Sequence, residues 1–316
     1  MYSYENYDKV KSEIEKRRLN AIAEADRKNS ELRETSEEIR AIDEELSSTG
    51  FQIFKVACSG GDITPIKERN RELNRRRAEI ILSLGYPQDY TKVKYFCPDC
   101  SDSGFIGGTK MCHCFREALV KATIASSGIG NLIESQSFDN FDLSWYKNDA
   151  DAYNRMTEIY RESKRYVEHF SERRGNLLLV GPTGVGKTHI STAIAREIIN
   201  LGYDVIYDSV QNIISDFETD KFRSGYSAVE NKSDKYLECE LLIIDDLGTE
   251  FSTQFSMSCI YNLINTRQNK GLATIISTNY PLKELSAKYE DRIFSRLIGK
   301  GTQVLVFAGR DKRLFR

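Results

Sequence analysis

Eight consecutive residues, Gly181, Pro182, Thr183, Gly184, Val185, Gly186, Lys187 and Thr188, follow the apolar run NLLLV and open a segment with Ile190, Ile194 and Ile198 at helical spacing. A glycine-rich turn between a strand and a helix lets backbone N–H groups face inward around phosphate oxygens. The helix N-terminus adds its partial positive charge. Lys187 is placed to reach β- and γ-phosphates, and the Thr188 hydroxyl to ligate Mg²⁺. Further on, the apolar run Leu241–Ile244 ends in Asp245 and Asp246. Two acids at such a strand end predict Asp245 beside the metal and Asp246 toward an attacking water.

Two polar features follow in order. The strand-like Ala273–Ser277 runs into Thr278 and Asn279, a polar tip able to contact a γ-phosphate or the water. Arg292 and Arg296 then stand four apart, on one helical face. Arginine suits sites where a permanently charged planar fork must meet phosphate; the alternative for both is an ordinary solvated helix face.

A separate cluster lies upstream. Cys97, Cys100, Cys112 and Cys114 crowd four of the chain's seven cysteines into eighteen residues, around a turn holding Gly104, Gly107 and Gly108. Two close thiol pairs can converge on one tetrahedral ion, and Zn²⁺ is the default for such a set. A redox reading of Cys-x-x-Cys needs a thioredoxin-like βαβ context, which is missing here. His113 is a substitute ligand in principle, but Cys114 beside it is the better donor. Cys58, Cys239 and Cys259 are expected to be small buried residues.

The elements that must position these groups show as two changes of pattern. From Tyr7 to about Leu46, Ile14, Ile22, Ala25, Leu32, Ile39, Ile42 and Leu46 form a helical stripe in a charge-dense segment. Residues 47–63 predict a connector. Thr64 as N-cap and Pro65 at the first helical position then predict a second helix carrying Ile66, Leu73, Ile80 and Leu84, closed at Gly85. The result is a helical hairpin, either a solvated structural element or a partner-docking arm. After Trp145, short apolar strands (177–180, 205–207, 241–244, 273–277, 304–307) alternate with helices (187–200, 210–223, 254–269, 281–298). Such alternation predicts a parallel sheet covered on both faces. The expected layout is a helical region over 1–94, a zinc-binding segment over 95–116, a linker over 117–137 and an ATPase domain over 138–316.

Composition narrows the class. The 45 basic and 47 acidic residues leave a net charge of −2, so no global basicity advertises nucleic acid. Locally, residues 286–316 carry eight basic and three acidic side chains, a surplus that fits either a single-strand contact or a subunit interface. The longest apolar runs fall far short of the roughly 18 residues a membrane helix needs, and the N-terminus lacks an apolar leader. A cytoplasmic protein with no membrane association is expected.

Residues 138–316 resemble the AAA+ ATPases of the DnaC/DnaI helicase-loader family, with the IstB transposition ATPases as close relatives. The resemblance rests on the order of Gly181–Thr188 (Walker A), LLIIDDLG ending on Gly248 (Walker B), Asn279 (sensor 1) and DRIFSRL (box VII-like). It implies an α/β AAA+ P-loop core that binds ATP and Mg²⁺, with Arg296 as a finger reaching a neighbouring subunit's nucleotide, and Arg313 as a sensor 2 residue. It also implies a replicative DNA helicase and single-stranded DNA as partners, and self-association through the ATPase domain. Asp246 stands where many AAA+ proteins carry Glu, which implies slow hydrolysis. Phe138 and Phe141 lie where relatives lead the chain past the adenine, and core packing fits them equally. Two rival readings use the same residues: an IstB-like transposition helper, and a zinc-containing DNA-binding adaptor with ATP as a structural ligand.

Overall fold

The structure, a computed structural model, describes residues 2–130, 132–223 and 231–311. They divide into two compact units, residues 11–116 in one and the described residues of 2–10 and 117–311 in the other.

The first unit is built on helices α1 (Tyr4–Thr35), α2 (Glu37–Cys58) and α3 (Thr64–Ser83). The stripe expected to be one helix breaks at Ser36, whose backbone is extended and whose hydroxyl accepts from the Ile39 N–H. Serine competes for local backbone bonds in this way, so a cap interrupts an otherwise continuous apolar face. The expected connector shrinks to residues 59–63, because α2 continues to Cys58. Its polar residues are absorbed by the helix: Ser47, Ser48 and Thr49 donate their hydroxyls back to the Asp43, Glu45 and Leu46 carbonyls at 2.7–2.8 Å. Cys58, expected to be buried, is exposed at that helix end.

The start of α3 also differs by one residue. Ile63 is the N-cap, and the Thr64 N–H donates to Asp62 Oδ1 at 2.9 Å, so Asp62 does the work expected of Thr64. At the far end Gly85 has φ 84°, and Gly85 and Tyr86 donate to the Leu82 and Ile81 carbonyls, closing the helix as expected. Leu32, Ile39, Ile42, Leu73, Ile80 and Ile81 make the core between α2, α3 and the end of α1. Asp43 beneath it accepts from both Arg33 and Arg77, at 2.8 and 2.7 Å. Burial pushes the Asp43 carboxyl up, but the two guanidiniums outweigh it and hold it below the usual range. The unit ends in a small hairpin, β1 (Phe105–Ile106) against β2 (Lys110–Met111), followed by α4 (His113–Ser126), which crosses into the second unit.

In the second unit α5 (Leu132–Ser135) and a short 3₁₀ turn lead to α6 (Ala150–Glu168). Then β3 (Asn176–Val180), α7 (Lys187–Asn200), β4 (Val205–Ser209), α8 (Val210–Phe222), α9 (Asp234–Glu238) and β5 (Leu241–Asp245) follow. The chain continues through α10 (Gln254–Asn269), β6 (Ala273–Thr278), α11 (Leu282–Lys288), α12 (Asp291–Leu297) and β7 (Thr302–Val306). The helix expected over 281–298 is two, because Tyr289 and Glu290 are extended and the buried Tyr289 ring anchors its hydroxyl on Glu250 at 2.6 Å.

All five strands from β3 onward are parallel, in the order β4-β5-β6-β3-β7. Side chains alternate between two cores, as the pleat dictates. Leu177, Leu179, Ile243 and Ile275 face α6 and α7, while Leu178, Val180, Leu242 and Ile276 face α8 to α12. The buried guanidinium of Arg267 on α10 closes one end of the second core, donating to the Tyr236, Cys239 and Ala273 carbonyls and to Thr274 Oγ1. Among the described residues no helix is long and apolar enough to cross a membrane.

Candidate functional site

Strand order decides which loops meet. With β6 between β3 and β5, the carboxyl ends of these three strands lie side by side, where open parallel sheets place their ligands. The loop 181–186 leaves β3 and turns into α7, whose first turn carries Lys187 and Thr188. Gly184 and Gly186 hold φ 77° and 95°, conformations that other residues adopt only at a cost. No side chain caps the first turn of α7, so its N–H groups point into the loop, as an anion cradle requires.

Lys187 is almost fully buried. Its ammonium donates to the Gly181 and Pro182 carbonyls and to Asn279 Oδ1, each at 2.7 Å. Asn279 passes the connection on, donating from Nδ2 to Asp246 Oδ1 at 3.2 Å. The loop lysine, the polar tip of β6 and the second acid of β5 therefore form one contact chain. Asp245 is held differently: Ser277 Oγ donates to one carboxylate oxygen and Tyr207 Oη to the other, both at 2.5 Å. The Tyr207 hydroxyl also interacts with Thr188, and burial together with the Asp245 charge pushes its pKa far above the ordinary phenol range. Ser277 Oγ in turn accepts from the Asp246 N–H at 2.9 Å, which helps hold Asp246 at φ 55°.

Thr188 and Asp245 thus flank a common spot through Tyr207, and their oxygens are the hard donors that Mg²⁺ prefers. When bound there with a nucleotide, the ion would neutralise phosphate charge. Tyr207 and Ser277 escaped the sequence reading. Ser277 was legible only as the residue two before Asn279, and Tyr207 reaches Asp245 solely through the β4–β5 pairing.

Behind the loop, Phe138 and Phe141 are buried in the first core, so packing is their role. Phe141 and Tyr146 stack at 6.2 Å, Tyr146 Oη donates to the Val185 carbonyl at 2.8 Å, and both rings press on Gly186. An open cavity of about 570 Å³ adjoins them, lined by half-exposed Trp145 with Tyr146, Asn148, Asp149 and Arg310. The Asp311 carboxylate lies against Gly184, where a Cβ would have no room. Arg313 lies outside the described residues.

Neither helical arginine reaches this loop. Arg296 donates to Asn265 Oδ1 at 2.9 Å and lies over the Tyr261 ring at 4.5 Å. Arg292 is exposed, pairs with Glu290 at 2.7 Å, and borders the same ring at 5.1 Å.

In the first unit the four thiols come together. Cys97 and Cys112 Sγ are 3.7 Å apart, Cys100 and Cys114 Sγ 3.5 Å, and all four lie within 4.8 Å of one another. A tetrahedron with Zn–S bonds of 2.3 Å has edges of about 3.8 Å, so the donor set fits zinc. Burial pushes the Cys100 thiol up, but bonds from the Gly104 N–H and neighbouring thiols bring it down to about 7. Burial and the same neighbours push Cys114 well above its ordinary value. Thiols this crowded cannot all ionise without a cation among them. His113 Nδ1 lies 3.6 Å from Cys112 Sγ and 3.5 Å from Asp99, on a more exposed side of the cluster. Asp102, with φ 53°, accepts from the Phe96 and Cys97 N–H groups and from Arg17 of α1, which fastens the knuckle to its helix.

A phosphate-cradling loop, a metal-ready carboxylate and a polar residue between them, on a five-stranded parallel sheet, define a P-loop nucleotide-binding fold. Residues 131–300 match the family described as IstB-like ATP binding protein, and the chain belongs to that family. It is similar to the replicative helicase loader DnaC of Escherichia coli (strain K12), with 24% identity over 182 residues, 58% of this chain and 71% of that protein. It is also similar to the chromosomal replication initiator protein DnaA of Campylobacter jejuni, 32% identical over 127 residues, 39% of this chain and 28% of DnaA. Among solved structures, the DnaC helicase loader aligns with 22% identity and a TM-score of 0.47 over 56% of this chain and 98% of that one. DnaI aligns with 20% identity and a TM-score of 0.47 over 59% and 95%.

Proposed function

We propose that this protein is an ATP-switched helicase loader, which binds a replicative DNA helicase and delivers it onto single-stranded DNA. ATP with Mg²⁺ would sit on residues 181–188, with Thr188 and Asp245 toward the metal and Trp145 and Tyr146 beside the base. Asp246 would orient the attacking water with Asn279. The Lys187–Asn279–Asp246 contact chain carries this reading, because it couples the phosphate-sensing lysine to the hydrolytic acid through one amide. Asp246 has a shorter reach than the glutamate common in AAA+ proteins, which favours slow, partner-dependent turnover.

The loader assignment is supported by the likeness to DnaC and by the four-cysteine centre on a separate helical unit, suited to partner docking. In this reading residues 1–94 dock the helicase, 95–116 hold zinc, 117–137 link, and 138–316 form the ATPase. Arg296 would serve a neighbouring subunit's nucleotide, with Arg313 completing the site. A second reading, a transposition helper, is favoured by the IstB-like family match. Capture of purified replicative helicase, against purified transposase, by the ATP-bound full chain separates the two. Retention of transposase alone would overturn the loader assignment.

A further inference from the structure

We propose that the ATPase unit carries a second phosphate-binding site at the end of the sheet opposite the P-loop. An open cavity of about 760 Å³ lies where α6 ends and strands β3 and β7 begin. Its walls come from three stretches of chain: the last turn of α6, the loop 173–177 and the loop 300–303. Asn176 lines it at the amino end of β3 while Gly181 opens the P-loop at the carboxyl end, so roughly 16 Å of strand separates the two sites.

The charge is one-sided. Arg165, Arg173, Arg174 and Lys300 face Glu162 as the single acid in the wall. Glu162 is already engaged, accepting from Arg165 Nη1 at 2.7 Å and from Gln303 Nε2 at 3.1 Å. Arg174 is braced at 3.0 Å on Glu240 and over the Tyr203 ring, so its guanidinium is held in place. Arg173 and Lys300 make no side-chain hydrogen bond or ion pair among the described residues, and they approach from two different loops. Cations at a helix's last turn offset its dipole, which accounts for Arg165 in the last turn of α6. It does not account for Arg173, which lies five residues past the end of α6.

A phosphate group suits this wall, because its oxygens accept from guanidinium and ammonium groups together. The rings in the wall are the half-buried Tyr166, whose hydroxyl is committed to the Gly175 carbonyl at 2.9 Å, and the exposed His169, whose Nδ1 lies 3.0 Å from the Arg165 carbonyl. The cations take phosphate groups, whether from a small polyphosphate or from a nucleic-acid backbone.

The test uses the full chain carrying Lys187→Ala, so that the P-loop contributes little. Tripolyphosphate, a 12-residue deoxythymidine oligonucleotide and polyglutamate are each titrated by calorimetry. Binding of tripolyphosphate alone assigns a small-anion site, and binding of the oligonucleotide assigns a backbone site. In either case Arg173→Gln with Lys300→Gln should weaken binding by about tenfold or more per cation removed. Its thermal unfolding should stay unchanged. Three outcomes overturn the proposal: neither phosphate ligand binds, affinity survives the double substitution, or polyglutamate binds as tightly as the phosphates.

Discussion

The Lys187 ammonium and the Asn279 side-chain oxygen meet at 2.7 Å, which ties the start of α7 to the carboxyl end of β6. Because the same amide donates to Asp246, a change in where the lysine points is felt at the acid without any backbone movement. In the proposed function, this is a route by which phosphate at the loop would reset Asn279 and Asp246.

Lys187→Ala should abolish ATP binding while leaving the fold intact, since the ammonium bonds loop carbonyls and Asn279 rather than core groups. Asn279→Ala should keep ATP affinity within a few fold yet lower turnover by about 100-fold, the scale of losing one positioned polar group. Nucleotide titration and steady-state hydrolysis check both. Unchanged affinity in Lys187→Ala would sink the site assignment.

Arg296→Ala should leave ATP affinity per subunit near normal and reduce ATP-dependent assembly and hydrolysis. In its own subunit the side chain rests on Asn265 and Tyr261, away from the loop, so any nucleotide contact must come from a neighbour. Trans arginines in related systems contribute about 10³–10⁵ in rate, and a slow starting rate would compress the visible loss. Mixing Lys187→Ala subunits with Arg296→Ala subunits should restore part of the activity. Should no mixture recover while Arg292→Ala alone shows the defect, Arg292 is the finger.

The full chain should bind one zinc per molecule, lost when Cys97 and Cys100 are both changed to Ser. Structural zinc contributes about 10–16 kcal/mol to folding of small zinc-finger peptides. A chelator should therefore open residues 95–116 to proteolysis while the ATPase unit resists. Elemental analysis of the purified chain is decisive, and a metal-free result rules out this centre.

Asp204 gives the fold a pH dependence. Burial first, and then the neighbouring Glu240 charge, push its carboxyl up to about 6. The ordinary value is about 3.9, so between these two pH values the folded state binds more protons than the unfolded one. Stability from this group is then present below about pH 4 and is lost as pH rises through 6. Asp204→Asn should raise unfolding free energy by about 1–2 kcal/mol at pH 7.5 and by little at pH 4. Urea unfolding at the two pH values measures the difference, and an equal effect at both would refute the assignment.

The chemistry legible in the sequence was the chemistry carried by short contiguous segments. A glycine loop between an apolar run and a helical stripe, acids at a strand end, and paired cysteines around a glycine turn each constrain their own backbone. Local geometry is enough to predict where these residues meet. Helix boundaries were less legible, because Ser36 and residues 47–49 choose between capping and helix by margins near 1 kcal/mol. Tertiary structure alone decided which distant side chains meet. Tyr207 and Ser277 reach Asp245 only through the pairing of β4, β5 and β6, and Arg267 finds its carbonyls only after α9 and α10 pack. The basic cavity likewise joins loops more than a hundred residues apart, Arg173 with Lys300. Strand order follows from burying both faces of the whole sheet at once, a condition no local stretch of residues can express.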